Sequence, residues 1–129
     1  MGWENFLKVE KANKDFIKLN LSYIDMTGDI IAGIMLSQII YWHLPSKNGN
    51  SKLRVIKGGE EWIAKRRVDW FDECRITLKQ YIRAIKILED KGIVKTKVFK
   101  FYGEPTVHIS LNKEKFASLI QEQIGKDNG

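Results

Sequence analysis

The side chains best suited to chemistry in this sequence are basic and amide groups that recur on one predicted helix. Thr77 and Gln80 have the spacing of a capping box, so a helix is expected to begin at Thr77. Along that helix, Lys79, Arg83 and Lys86 share one face. An arginine can bridge guanine, a glutamine can pair with adenine, and lysines can hold phosphates. The pattern favours DNA readout, with Arg83 and Gln80 on base edges and Lys79 and Lys86 on phosphates. The alternative is a solvated helix face without a ligand.

A second group of candidate residues lies in the strand-like run from Ile93 to Phe101. Alternate residues of such a strand share one face, and here these are Lys95, Lys97, Phe99 and Phe101. Lys100 lies near the tip of the hairpin that this strand is expected to form. Lysines beside exposed aromatic rings suit single-stranded nucleic acid, because the rings stack on bases while the lysines hold the backbone. The alternative, which we favour, is that the two rings pack on the core or across a hairpin.

The third group is the basic run Lys65-Arg66-Arg67, which lies at the start of a shorter predicted helix. These side chains either contact phosphate or are solvated. Taken together, the candidate DNA-binding residues are Arg66, Arg67, Lys79, Gln80, Arg83, Lys86, Lys95, Lys97, Phe99 and Lys100.

The distribution of charge supports one polyanion-binding segment. The chain has a formal net charge of +6 and a pI near 9.4. Between Trp62 and Phe101 there are eleven of the 22 Lys and Arg residues but only five of the 16 Asp and Glu residues. The whole positive excess therefore lies in this segment, where we expect the partner-binding surface.

The sequence offers no catalytic or cofactor chemistry. The single cysteine, Cys74, excludes an intramolecular disulfide and makes a cysteine-built zinc site improbable. His43 and His108 have no ligand partners at metal-binding spacing, and no phosphate loop or nucleophile motif is present. We therefore predict a protein that is not an enzyme and holds no cofactor or metal. The lack of a secretory signal or membrane-spanning stretch predicts a cytoplasmic protein without a membrane partner.

The elements around these residues are predicted from periodicity and capping signals. At 129 residues the chain is expected to form one α+β domain, 1–129, with a core of about 27–111. The segment before Asp25 is compatible with either a helix or an irregular strand. The expected elements thereafter are a buried helix capped by Asp25 or Thr27 and ending near Trp42, strands Leu53–Lys57 and Glu60–Ala64, a helix from about Arg66 to Cys74, a helix from Thr77 to about Lys91, strands Ile93–Phe101 and Thr106–Leu111, and a helix Lys113–Ile124 capped by Asn112.

Three stretches resemble a known family: TGDIIAGIMLSQIIYWH, EEWIAKRRVDWFDECRITLKQYIRAIKILEDKGIVKTKVFKF and GEPTVHISL. They look like the winged-helix domain of replication initiators and replisome organisers carried by phages, plasmids and other mobile elements of Gram-positive bacteria. The likeness covers about Thr27 to Leu111. It implies a winged helix-turn-helix with an N-terminal extension, a buried central helix, a β-hairpin wing formed by Ile93–Leu111, and a C-terminal helix.

The resemblance implies DNA binding, single- or double-stranded, in the replication of a mobile genetic element, through the recognition helix and the wing lysines. Larger members carry a long C-terminal domain for helicase or loader interaction, which this sequence lacks. An accessory protein beside a separately encoded helicase or other replication protein is therefore as plausible as a full initiator. Two other functions stay open: a transcriptional repressor, which would form a homodimer on two half-sites, and a protein-docking module.

Overall fold

Within residues 1–128, six helices and one four-stranded antiparallel sheet form the α+β fold that the sequence predicts. The computed structural model describes residues 1–128, so Gly129, the last residue of the expected domain, lies outside the described residues. The helices are α1 (Trp3–Ala12), α2 (Leu21–Thr27), α3 (Ile30–His43), α4 (Asp69–Cys74), α5 (Leu78–Asp90) and α6 (Lys113–Asn128). The strands are β1 (Val55–Lys57), β2 (Glu60–Ala64), β3 (Val94–Phe101) and β4 (Glu104–Leu111).

Helix α3 is the centre of the core, as predicted, and eight of its fourteen residues are buried. Its predicted cap at Asp25 or Thr27 is wrong, because both residues belong to α2. Gly28 ends α2 in the left-handed conformation, with φ of 72°, and the chain then starts α3 afresh. The cap is Asp29, whose carboxylate accepts a hydrogen bond of 2.9 Å from the backbone N–H of Ala32.

The four strands are ordered β1-β2-β4-β3, and each neighbouring pair is antiparallel. The sequence predicts the two hairpins separately, and the structure joins them through the pairs Ile63–Ile109 and Ala64–His108. Ile63, Ile109 and Val94 are buried in the core on the helical side of the sheet. We call this side the inner face and the opposite side the outer face.

The outer face of β4 is buried as well, although alternation of apolar and polar residues predicts a strand with one solvated side. Thr106, His108 and Ser110 are all buried, with His108 only 1% exposed. Trp62 of β2 and Phe99 of β3 lie on the same face, and Phe99 packs edge-on against both Trp62 and His108. The sheet therefore carries a second, smaller aromatic cluster outside the main core.

The pair α4 and α5 is separated by a break at Arg75, as predicted, and Arg75 adopts the left-handed conformation with φ of 62°. The capping box of Thr77 and Gln80 is confirmed, and Gly92 follows the helix with φ of 73°. Helix α4 begins at Asp69 instead of Arg66, because the Asp69 carboxylate accepts the backbone N–H of Arg66 and closes a turn there.

Two residues predicted to be in the core are exposed. Residue type predicts Phe71 as a core anchor together with Trp62 and Trp70, and helical periodicity predicts Leu78 on the core side of α5, yet both Phe71 and Leu78 are about half exposed. The core reaches this region through Trp70 of α4 and Ile76 of the break, both buried, so Phe71 and Leu78 lie on the solvent side of their helices. Trp62 and Trp70 are buried as predicted.

The terminal helices differ in how they attach to the rest of the protein. Asn112 caps α6 by accepting the backbone N–H of Lys115, as predicted, and Phe116 packs edge-on against Tyr23 of α2. Ile124, predicted for the apolar face of α6, is exposed. The segment whose structure the sequence left open forms α1 and α2, and none of the residues of α1 is buried.

We expect Gly33→Ala to destabilise the protein, because a Cβ at Gly33 would lie 2.8 Å from Ile24 Cγ1 and 3.1 Å from the Ile24 backbone. Removing a helical glycine normally stabilises by about 1 kcal/mol. Here we expect overpacking between α2 and α3 to lower the free energy of unfolding by about 1–3 kcal/mol, measured by urea denaturation.

Gly125→Ala is the matched control, since a Cβ at Gly125 of α6 meets nothing within 4 Å. This control should leave stability unchanged or raise it by up to about 1 kcal/mol. Equal stabilisation by both substitutions would contradict the close approach of α2 and α3.

Candidate nucleic-acid interface

Helix α5 presents a basic face on a well-anchored scaffold. Its side toward the protein is fixed by Tyr81, Ala84, Ile85 and Leu88, all buried. Lys79 and Lys86 are exposed on the other side, and because they are seven positions apart in the helix, they lie roughly 10 Å apart along its axis. Lys86 forms an exposed ion pair of 3.3 Å with Asp90, whereas Lys79 has no ion pair within residues 1–128.

Arg83, the predicted guanine contact, is already engaged with the protein. Its guanidinium forms an ion pair with Asp29, the cap of α3, and its side chain is 51% exposed. Burial raises the pKa of Asp29, but hydrogen bonds from the Ala32 N–H and the Arg83 guanidinium outweigh it, and the net pKa is lowered. Arg83 therefore ties α5 to the start of the central helix.

Gln80, the predicted adenine contact, is also partly occupied. Its side-chain oxygen accepts the backbone N–H of Thr77 at 2.9 Å, as one half of the capping box. A bidentate contact to adenine uses both the oxygen and the amide nitrogen of glutamine. In this conformation the amide oxygen of Gln80 already accepts one hydrogen bond, so a bidentate contact to a base would have to use its second lone pair.

The basic run before α4 is divided between paired and open side chains. Lys65 forms an ion pair with Glu73 and is largely buried. Arg66 faces Asp69, with Nη2 and Nε at 2.8 and 3.2 Å from the two carboxylate oxygens. Arg67 is exposed and has no ion pair within the described part of the chain. Of the three, Arg67 is the best placed for a phosphate.

Three of the four candidate residues of β3 lie on the side of the sheet away from α5. Thr96 lies on the inner face and donates a hydrogen bond of 3.4 Å to Glu89 of α5. Since side chains alternate along a strand, Lys95, Lys97 and Phe99 lie on the outer face, with the sheet between them and α5. Lys100 is exposed on the inner-face register near the hairpin tip. The structure thus divides the predicted interface into a helix face and an outer sheet face.

On the outer sheet face the rings are partly packed, which was the favoured alternative to stacking. The Phe99 ring lies 5.3 Å from Trp62 and 5.1 Å from His108. The Phe101 ring lies 6.0 Å from His108 and 4.5 Å from Tyr102. Lys95 pairs with Glu60, while Lys97 has no ion pair among residues 1–128. Phe99 and Phe101 remain half-buried, so part of each side chain is still accessible.

Sequence reasoning missed a cleft beside this cluster. It has a volume of about 220 Å³ and lies between the tip of the β3–β4 hairpin and the open end of the β1–β2 hairpin. Its lining includes Arg54, Trp62, Phe101 and Tyr102. One signal could have drawn attention to it: the turn Tyr102-Gly103 places a bulky residue where asparagine or glycine is usual.

The remaining reactive groups do not form a catalytic arrangement. Burial raises the pKa of the Cys74 thiol, which lowers the thiolate fraction at neutral pH. Burial also lowers the pKa of His43, whose ring nitrogen Nε2 accepts the backbone N–H of Leu111 at 3.3 Å. Within residues 1–128, no three His, Cys, Asp or Glu side chains are grouped as a metal ion would require.

Comparison with protein-family models, with curated proteins and with solved structures finds no significant match to this chain. In the described residues, no helix combines the length and the apolar character needed to cross a membrane.

We expect the Asp29–Arg83 pair to make stability depend on pH. The depressed pKa of Asp29 means that its charge stabilises the fold fully above the unfolded-state pKa of about 3.9, and that this contribution is lost as pH falls through the folded-state pKa. Asp29→Asn keeps an oxygen to cap α3 but removes the charge. We expect it to lower the free energy of unfolding at neutral pH by about 0.5–1 kcal/mol, with the difference from wild type closing in acid.

Urea denaturation at neutral pH and in acid measures this difference. Asp90→Asn, which removes an exposed carboxylate paired with Lys86, is the matched control and should change stability little. A deficit for Asp29→Asn that stays the same at both pH values would argue against a charge contribution from Asp29.

Proposed function

We propose that this chain is a non-enzymatic DNA-binding protein with a winged-helix fold. In this proposal, α5 is the recognition helix and the β3–β4 hairpin is the wing. The observation that carries it is the exposed basic face of α5, with Lys79 and Lys86 opposite a side that is fixed in the core. Such a helix can lie in the major groove while its lysines contact the flanking phosphates.

The short α4 and the break at Arg75 support this proposal, because they hold α5 at the surface of the protein. Helix α4 is anchored by Trp70, which is buried and lies near Tyr81 of α5, with ring centroids 6.1 Å apart. Arg67, two residues before the first residue of α4, adds an exposed positive charge next to this pair of helices in the sequence. A pair of helices joined by a short turn is the arrangement used by helix-turn-helix proteins.

For the biological role, we propose replication of a mobile genetic element. The support is the resemblance of the three quoted stretches to replication initiators and replisome organisers. These stretches correspond to α3, to the run from β2 through β3, and to β4. In this role the chain binds DNA beside an element-encoded helicase or another replication protein.

The test is fluorescence anisotropy with labelled duplex and single-stranded DNA of the same length, titrated at several salt concentrations. We expect the double substitution Lys79→Ala/Lys86→Ala to weaken duplex binding by about tenfold or more. It should also reduce the slope of log affinity against log salt by about one for each lost phosphate contact.

The matched control is Lys47→Ala/Lys126→Ala, which removes the same charge from an exposed loop and from α6. This control should weaken binding only slightly. Equal weakening by both double variants would mean that binding depends on the net charge of the protein and not on the face of α5. Unchanged duplex binding by the α5 variant would overturn the assignment of α5. Protection of two half-sites by a dimer would indicate a repressor instead of a replication protein.

A further inference from the structure

The cleft between the two hairpin ends is a second candidate binding site, distinct from the face of α5. Its lining includes Trp62, Phe101 and Tyr102 from the aromatic side, Trp42 and Ile63 from the main core, and the exposed Arg54. We propose that this cleft binds an unpaired base of single-stranded DNA, with Tyr102 stacking on the base and Arg54 holding a neighbouring phosphate. The inference rests on the proposed DNA-binding function and adds to it a subsite for opened DNA.

The size and charge of the cleft suit this ligand. At about 220 Å³ it is smaller than the pockets of about 300–1,000 Å³ that enclose drug-sized molecules, and it fits one planar ring system. The charged residues of its lining are Lys52, Arg54 and Lys65, all basic. An aromatic wall with a positive rim is the combination that binds a base together with its phosphate.

Of these three basic residues, Arg54 is the one that is open to a ligand. The Lys52 ammonium donates to the backbone oxygen of Tyr41 at 2.9 Å and lies 3.8 Å from the centre of the Tyr41 ring. Lys65 is paired with Glu73. Arg54 is exposed and has neither an ion pair nor a side-chain hydrogen bond within residues 1–128. It is therefore the residue that we assign to phosphate.

The backbone at Tyr102 is the second observation that points to a ligand. Tyr102 and Gly103 form the two-residue turn closed by the pair Phe101–Glu104, and their φ values are 51° and 81°. A turn with two positive φ values favours asparagine followed by glycine. A tyrosine there is strained, and at 92% exposure its ring gains little from packing. Folding alone does not explain this residue, whereas stacking on a base does.

The ring of Tyr102 is nevertheless supported from below. It contacts Phe101, which packs against His108, and His108 packs against Phe99 over the buried Trp62. The aromatic contacts thus run without a break from a buried tryptophan to an exposed tyrosine. A base that stacks on Tyr102 meets a surface already held by the sheet, which reduces the entropy lost on binding.

This site selects single strands over duplex. In a duplex, each base is already stacked on its neighbours and paired, so it enters a cleft only after being extruded from the helix. Lys97 lies on the outer face of the sheet, away from α5, and Trp62, Ala64 and Phe101 of the cleft lining lie on that same face. A single strand can therefore follow the outer face while a duplex contacts α5.

The test compares binding of the full chain to labelled oligothymidylate and to an abasic sugar–phosphate strand of equal length, again by fluorescence anisotropy. The abasic strand keeps the phosphates and removes the bases. We expect the wild-type protein to prefer oligothymidylate by about fivefold or more, as expected from the stacking of one base. Tyr102→Asn should abolish this preference, and Tyr102→Phe should retain it.

Thermal unfolding separates a binding role from a folding role. Because asparagine suits the turn better than tyrosine, Tyr102→Asn should fold at least as stably as the wild type while losing the base preference. Arg54→Gln should weaken binding to both strands alike and reduce the salt slope by about 0.7 for the lost contact. The control Lys47→Gln should leave both properties unchanged.

The outcomes distinguish this inference from the proposed function. If Tyr102→Asn binds oligothymidylate as tightly as the wild type, the cleft is not a base site. The assignment of α5 as the recognition helix is then unaffected, because it is tested separately with duplex DNA. If the wild type does not discriminate between the two strands, the cleft proposal is also overturned. If the wild type binds neither single strands nor duplex, both proposals fail together.

Discussion

The pairing of β2 with β4 is the interaction on which the rest of the structure depends. Two residue pairs, Ile63 with Ile109 and Ala64 with His108, unite two hairpins that are distant in sequence. The union closes the main core on the inner face and creates the aromatic cluster on the outer face. An isolated two-stranded hairpin is marginally stable in water, so neither hairpin would present its side chains in fixed positions alone.

The elements that the sequence predicts well are those set by local chemistry. The start of α5 follows from Thr77 and Gln80, and its end from Gly92, because caps satisfy backbone groups within a few residues. The pairing of β2 with β4 and the ion pair between Asp29 and Arg83 join residues far apart in sequence, and no local pattern encodes them. The burial of the polar side of β4 was missed for the same reason.

Many side chains of the predicted interface already form contacts within the protein. Several candidate side chains are bonded within the chain: Arg66, Gln80, Arg83, Lys86 and Lys95. Residue type and spacing suggested these side chains, but only the structure shows which of them already have partners. A bound phosphate would compete with those partners, weakly at an exposed pair such as Lys86–Asp90, which contributes little to stability, and more strongly at the less exposed pair Arg83–Asp29. The open charges of Arg67, Lys79, Lys97 and Lys100 have no such competition within residues 1–128.

The four tryptophans lie in graded environments, from exposed Trp3 on α1, through partly buried Trp42, to Trp62 and Trp70 in the interior. Their intrinsic fluorescence therefore comes from distinct populations. A collisional quencher such as acrylamide or iodide reaches Trp3 first and the interior indoles last. Replacing Trp3 by phenylalanine would leave an emission spectrum dominated by the packed regions of the protein. The chain thus carries its own optical probes for the sheet and for the α4–α5 pair, without an added dye.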